Sequence, residues 1–400
     1  MTPLGVGTES LWSGVVAGES GIRALDAFDV SPYRSRVAGE VPDFRPDDHL
    51  GLREVRAFAR YLHLGVAAAR LAWKDAGVSP GQIDSDRTGV CLGTAVGAMG
   101  RAADDGVTLF QKGLSRVHPM FPLQYPGTLP SEVAIALGLH GPAYSIGTAC
   151  TAAADAIGLA FAQVRSGMMD VAIVGGSDAP IFPLLFGSFD RMGALSTWDG
   201  PPACASRPFS ADRSGFVLSE GAGVLVIEAE EIARERGARV YAELSGFGAT
   251  CDAHHHLAPD PEGTQGARAI RLALEHASLR PEDIDYVNAH GTGTPKNDST
   301  ETTIMKLVFG ELAPRIPVSS SKSMLGHTIG ASGAIELIIS ALAIYHGVVP
   351  PTINLGEQDP ACDLDYVADG ARRQTIGAAL STSFGFGSRN AALVLRAAAQ

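Results

Sequence analysis

Four short segments hold residue types that could do covalent chemistry on a carbonyl carbon. The first is 145–158, SIGTACTAAADAIG. An apolar, strand-like approach ends in Gly147-Thr148-Ala149, and Cys150 stands where a run of small residues should open a helix. A thiol at a helix N-terminus meets unpaired N–H groups and the positive end of the dipole, which favour its nucleophilic thiolate form. Ala149, Ala152 and Ala153 leave room for a substrate beside it. Most cysteines are plain buried packing residues, and Cys150 taken alone reads that way first.

The second segment, 287–301 (VNAHGTGTPKNDSTE), sets His290 between a strand pattern and a Gly/Thr-rich turn, with a helix opening near Ser299. Alone, His290 is more simply a histidine satisfied within a turn. The glycines suggest a phosphate cradle, but the spacing GxxxxGK[ST] is missing. The third segment, 318–333 (VSSSKSMLGHTIGASG), places Lys322 and His327 five residues apart among Gly and Ser, which let backbone approach a ligand closely. The fourth, 381–390 (STSFGFGSRN), alternates Gly and Phe after a strand and could form a mobile wall over a pocket. His254-His255-His256 invites a metal reading, but adjacent side chains diverge and no carboxylate or cysteine completes a site. The stretch 93–100, GTAVGAMG, has its glycines at the wrong spacing for a dinucleotide loop.

The elements that must position these residues alternate. Segments 171–175, 223–227, 241–246, 284–289 and 377–382 predict strands, and 56–76, 152–166, 264–277, 301–309 and 333–346 predict helices. Such alternation implies an α/β fold with largely buried sheets. A charged segment, 228–239, is placed to join two halves.

The bulk numbers agree with a large buried α/β interior. Of 400 residues, 46% are apolar and 18% charged, enough for a large interior and too little polarity for disorder. A formal charge of −12 argues against a general nucleic-acid binder, which needs a basic stripe. Five scattered cysteines (91, 150, 204, 251, 362) form neither a disulfide framework nor a zinc ribbon, the usage of a reducing compartment. The start, MTPLGVGTESLW, lacks the basic and apolar regions of a signal peptide. The longest apolar candidate, 335–345, falls short of the roughly eighteen residues that span a bilayer. A soluble, cytoplasmic chain with no membrane association is expected.

Together the four segments are far more specific than any one of them. The chain resembles an elongating β-ketoacyl-acyl carrier protein synthase (ketosynthase) of the thiolase superfamily. The resemblance rests on TACT around Cys150, VNAHGTGTP around His290, SSSKSMLGHTIGASG with Lys322 and His327, and SFGFG. GPAYSI, ASRPF, GFVLSEGAGVLVIE, PPTINL and CDLDYV extend it over nearly the whole length. It implies a thiolase-like fold of two similar halves packed as five layers (α-β-α-β-α). Residues 1–238 would carry Cys150, and 239–400 would carry His290 and His327.

The resemblance also implies roles. Cys150 would accept the acyl group, His290 and His327 would bind the malonyl thioester carbonyl, and Lys322 and Glu301 would support them. Phe386 would be a gate, its backbone N–H forming an oxyanion hole with that of Cys150. Val96, Phe121 and Phe384 would line the substrate pocket. Arg56, Arg116 and Arg207 would dock an acidic acyl carrier protein, ordinary solvated arginines being the competing reading. Substrates would arrive on the carrier's phosphopantetheine arm, with no bound cofactor or metal.

Two neutral imidazole N–H groups can stabilise an enolate without a metal, and a cation such as Lys322 would keep them neutral. SFGFGSRN lacks the second cysteine of thiolases. His327 stands where initiating synthases and chalcone synthases have Asn, and Cys150 argues against an inactive chain-length factor. Two departures are visible: Met1 directly precedes Thr2-Pro3-Leu4-Gly5, where relatives have a strand, which predicts an upstream native start, and Ser388-Arg389 replaces Gly-Thr. The resemblance implies a dimer, either a homodimer or a heterodimer with a chain-length-factor-like paralogue. Ser388-Arg389, the Pro-interrupted 120–126 and an Ala-rich, Lys-poor composition tilt the reading from fatty-acid elongation towards a type II polyketide ketosynthase α-subunit. A non-catalytic scaffold and a Cys-His hydrolase are the rivals from other classes.

Overall fold

Nine strands form two sheets of matching order in the computed structural model, which describes residues 1–398. The first sheet holds β1 (Thr88–Gly93), β2 (Ala143–Ile146), β3 (Val171–Asp178) and β4 (Gly221–Glu228), ordered β2-β1-β3-β4 with β4 antiparallel. The second holds β5 (Glu243–Cys251), β6 (Tyr286–Asn288), β7 (Val318–Ser319), β8 (Ala378–Gly385) and β9 (Arg389–Arg396), ordered β7-β6-β8-β9-β5. There too the first three run parallel and the fourth antiparallel. β5 then flanks β9. At the equivalent side of β4 lies Met1, whose amino group donates to the Ala222 carbonyl (3.0 Å) while Ala222 N–H donates back (2.9 Å).

Helices α1 (Arg60–Ala76) and α2 (Thr128–Leu137) cover the outer face of the first sheet. Helices α3 (Ala152–Arg165) and α6 (Ser332–His346) lie between the sheets, and α4 (Thr264–Ala277) and α5 (Pro295–Phe309) cover the second sheet's outer face. The order is α-β-α-β-α, as expected. β1 and β3 are buried along their whole length, so they read as continuous apolar and small runs without alternation.

The sandwiched helices explain a departure from the sequence expectation. Ile329–His346, of mean hydropathy 1.5, is long and apolar enough by composition to cross a membrane, yet 78% of it is buried inside the protein. Packing against a sheet on both sides demands an all-round apolar helix. The predicted helix 56–76 is broken at Phe58-Ala59 into Leu52–Ala57 and Arg60–Ala76, and 228–239 yields only the short helix Glu230–Glu235. The strand-like approach to Gly147 is β2, whereas β1, β7 and β9 were not anticipated. TGVCLG and RNAALVLR are poor in β-branched and aromatic residues, so burial rather than propensity decides them.

The segments with chemistry all follow the C-terminal ends of parallel strands, the end where α/β sheets present their ligands. Cys150 lies between β2 and α3, His290 follows β6, and Lys322 and His327 connect β7 to α6. Phe386 lies in the hairpin joining β8 to β9. Gly93, the last residue of β1, sets the seat of the Cys150 helix: a Cβ there would fall 2.3 Å from Ala152 C and 2.4 Å from its carbonyl oxygen. Gly93→Ala should cost about 1–3 kcal/mol by overpacking and lower the melting temperature by several degrees. Gly106→Ala, with open space around it in the helix Met99–Lys112, should not lower it. Differential scanning calorimetry of both variants checks this.

Candidate active site

Cys150 occupies a 3-10 turn, Ala149–Thr151, that runs directly into α3. Ala149 before it has φ +54°, a left-handed conformation rare for a residue with a Cβ, so the turn is held under local strain. Thr148 and Thr151 hydroxyls both donate to the Asp155 carboxylate in the first turn of α3 (2.6 and 2.8 Å), which fixes the turn to the helix.

His327 points Nε2 at the sulfur, 3.2 Å from Cys150 Sγ, and its Nδ1 lies 2.9 Å from Ser332 Oγ. The His290 ring stands 5.3 Å from that of His327 at an interplanar angle of 88°. Lys322 Nζ reaches His290 Nδ1 (3.3 Å), donates to the His290 carbonyl (2.7 Å) and forms a buried ion pair with Glu336. An ammonium can only donate, so His290 Nδ1 must accept and its proton must sit on Nε2. Ser332 can donate or accept, so it serves either tautomer of His327.

Burial governs the protonation of the cluster. Desolvation first, then the Lys322 charge, holds both histidines well below the usual range, with His327 adding to the effect on His290. Burial also pushes the Cys150 thiol up to about 11, against the opposing pull of Lys322 and the Phe386 backbone N–H. The expectation of a thiolate is therefore corrected: removal from water outweighs the Lys322 charge and the Phe386 N–H, and Cys150 sits as a thiol beside a neutral imidazole.

Glu301 takes a different place from Lys322. Its carboxylate accepts from His290 N–H, Gly291 N–H and the Thr382 hydroxyl, each at 2.8 Å, so it anchors the backbone of the His290 loop. The direct partner of Lys322 is Glu336, pushed up to about 7 by burial. Sequence reasoning passed over it. The signal was there: a single acid within the apolar run 334–345.

Of the expected pocket residues, Val96 shares a buried apolar cluster with Cys150, Phe186, Phe216 and Ile329. Phe384 does not; it packs in the second sheet's outer core, edge-on to His290 at 6.0 Å. Phe121 is 44% exposed in the turn Phe121–Leu123, away from that cluster. Phe386 turns its backbone N–H to the Cys150 sulfur and its ring towards Phe189, 6.4 Å away.

Arg56 and Arg116 are exposed, and among the described residues neither forms an ion pair. Arg207 is already committed, stacked 4.5 Å over the Trp198 ring and bonded to Asp212 (2.9 Å), so it is not a free docking cation. His255 uses Nδ1 to accept from Leu257 and Ala258 N–H, a turn-capping role. Among the described residues no group of three His, Cys, Asp or Glu is placed to hold a metal. Ser388, at φ +63°, accepts from His254 and His255 N–H and donates to the His255 carbonyl, tying the Phe386 hairpin to this loop.

The chain matches the family profiles of the beta-ketoacyl synthase N-terminal domain over residues 1–233 and C-terminal domain over 241–356. The chain belongs to the β-ketoacyl synthase family. It is a condensing enzyme of the acyltransferase class. It is 42% identical over 397 residues to the 3-oxoacyl-[acyl-carrier-protein] synthase 2 of Synechocystis sp., covering 99% of this chain and 95% of that one.

It is also 42% identical over 401 residues to the tetracenomycin polyketide synthase ketoacyl synthase alpha subunit of Streptomyces glaucescens, covering 98% and 94%. Among solved structures, the ishigamide ketosynthase/chain length factor superposes with a TM-score of 0.92 at 37% identity, over 100% of this chain and 97% of that one. A β-ketoacyl synthase from Burkholderia phymatum STM815 gives 0.91 at 33%, over the same shares. These are thiolase-fold ketosynthases.

The ion pair makes a sharp prediction within this family frame. Glu336→Gln leaves the Lys322 ammonium buried without its counter-charge and should cost about 3–5 kcal/mol. Replacing both, as Lys322→Met with Glu336→Leu, should recover most of that stability. Urea unfolding of the single and double variants reads the difference.

Proposed function

We propose that this chain condenses an acyl group held on Cys150 with a malonyl group delivered on acyl carrier protein, releasing CO2. The observation that carries this reading is the approach of His327 Nε2 to Cys150 Sγ at 3.2 Å, beside a His290 whose proton Lys322 confines to Nε2. His327 takes the thiol proton as sulfur attacks the incoming acyl thioester. The Cys150 and Phe386 backbone N–H groups receive the oxyanion. The carrier's phosphopantetheine thiol leaves and takes the proton back.

Malonyl thioester then binds with its carbonyl oxygen between the two imidazoles. As the C–C bond to the carboxylate breaks, the electron pair moves to that oxygen, where Nε2–H of His290 and Nε2–H of His327, the latter now in the tautomer whose Nδ1 accepts from Ser332, stabilise the enolate. The enolate carbon attacks the acyl carbonyl, the C–S bond to Cys150 breaks, and the thiol is regenerated by protonation. Lys322 and Glu336 are positioning residues for His290, and Glu301 positions its backbone.

The division into residues 1–238 and 239–400 belongs to the same reading and is supported by the matched strand order of the two sheets. The pathway proposed is polyketide elongation, the chain acting in the cytoplasm as a catalytic α-subunit paired with a chain-length-factor-like paralogue. The identity to the tetracenomycin subunit and the likeness to the ishigamide pair support it. The equal identity to the Synechocystis synthase favours a second reading, a fatty-acid elongation homodimer. Either partner would meet an edge that needs covering: β2 is the outer strand of its sheet with Tyr144 exposed, and Ser145 Oγ ties it to the Pro126 carbonyl (3.0 Å). Phe110, 90% exposed, and Leu114 add apolar surface.

Intact-mass spectrometry after mixing with acyl-carrier protein should show an acyl adduct that Cys150→Ala lacks. Malonyl-carrier protein should then give a β-ketoacyl carrier two carbons longer. A folded enzyme, with its partner, that takes up no acyl group would overturn the nucleophile.

The pH dependence follows from the depressed histidines. Both stay neutral in the folded enzyme until well below pH 6.5, so malonyl decarboxylation should hold level from pH 8 down to that point and fall below it. The unfolded chain takes up those protons as pH drops through about 6.5, so stability should decline from about that pH downward, before the decarboxylation rate falls. Decarboxylation rates and melting temperatures across pH 5–8 test both.

A further inference from the structure

Asp178, the last residue of β3, is a fully buried carboxylate that none of the steps above uses. Five donors converge on it. Oδ1 accepts from the Thr94 hydroxyl (2.6 Å), Val96 N–H (3.0 Å) and Gly97 N–H (3.2 Å). Oδ2 accepts from Ala95 N–H (2.9 Å) and Gly330 N–H (2.8 Å). No cation pairs with it among the described residues; backbone and one hydroxyl supply all of its stabilisation.

The donors come from two loops far apart in the chain, and each carries a side chain of the apolar cluster around Cys150: Val96 on the first, Ile329 on the second. The second loop also carries His327, three residues before Gly330. Its backbone is strained, with Ile329 at φ +50°. The fit around the carboxylate is tight: a Cβ on Gly330 would lie 2.4 Å from Asp178 Oδ2 and 2.5 Å from Ala95 N.

We propose that Asp178 is a positioning residue that sets acyl-chain selectivity, by clasping residues 94–97 to residue 330 and so fixing the separation of Val96 and Ile329 beside Cys150. A short acyl chain fits against this closed wall. A longer one must part the two loops, and the convergent bonds on one anion resist that. The inference rests on Cys150 as the acyl acceptor.

The test is a selectivity ratio rather than a rate. The purified enzyme, with any co-purifying subunit retained, is acylated separately with butanoyl and decanoyl thioesters of N-acetylcysteamine, and initial rates of Cys150 adduct formation are read by intact mass. Asp178→Asn places an NH2 against backbone donors and should raise the decanoyl-to-butanoyl ratio about tenfold, the scale of one lost bond to a charged acceptor. Thr94→Val removes the hydroxyl that donates to Asp178 and accepts from Gly97 N–H, and should shift the ratio the same way by a smaller factor, while Thr94→Ser, which keeps the hydroxyl, should retain the parent ratio.

Should Asp178→Asn fail to fold, the Thr94 pair decides. A ratio unchanged or lowered in Asp178→Asn or Thr94→Val, with the adduct still formed, overturns the clasp. Absence of any adduct on the parent enzyme overturns the Cys150 reading instead.

Discussion

A buried ammonium organises this site. Lys322 is shut away from water and needs acceptors on every side, which it finds in Glu336 on α6, the His290 carbonyl and His290 Nδ1. Removing a charge from water is costly, and only a full set of close partners offsets it. Meeting that demand has three consequences at once: it ties the loop after β7 to the loop after β6, it fixes α6 relative to both, and it decides the tautomer of His290. The same charge opposes protonation of both histidines. The tautomer of His290 is thus set by a residue that need not touch substrate.

The double-sheet architecture lets these groups meet. Each sheet delivers its loops at the C-terminal ends of its parallel strands, and α3 and α6 are packed together between the sheets. Cys150 comes from the start of α3 and His327 from just before α6. Their approach depends on the inter-helix distance, which small residues keep short: Gly333 would place a Cβ 3.0 Å from Ala154 Cβ. Two repeats of one strand order therefore meet at one site, one carrying Cys150 and the other His290 and His327.

How far this was legible in the sequence depended on whether the chemistry lay in local patterns. Cys150, His290, Lys322 and His327 stand in compact segments rich in Gly, Ser and Thr, and such segments are visible without coordinates. Glu336 and Asp178 were not, since each is a lone acid inside an apolar element and its partners lie 14 to 152 residues away. β1 and β9 were missed for a related reason. Their residues are chosen for burial between layers, and Gly and Ala at those positions carry no strand signature. Phe384 and Phe121 sit in motifs of the right composition, yet placement decides which wall they join: Phe384 lies within β8 and packs into the second sheet's outer core, whereas Phe386 lies past the end of that strand, in the hairpin.

The state of Cys150 shows which force wins when local and global terms oppose. A nearby ammonium and the Phe386 N–H draw the thiol towards thiolate, and burial draws it further the other way. The same desolvation keeps the histidines neutral, so thiol and imidazole rest side by side without separated charge. An ion pair there would need solvation that the site lacks, and charge is developed only as the sulfur meets an acyl carbonyl with oxyanion donors in place. Burial that disfavours a resting thiolate also strengthens each hydrogen bond to the developing oxyanion and enolate, because no water competes for them. The reactivity of this cysteine is therefore a property of the occupied site, and the walls that exclude water from it are as much a part of the chemistry as the groups they surround.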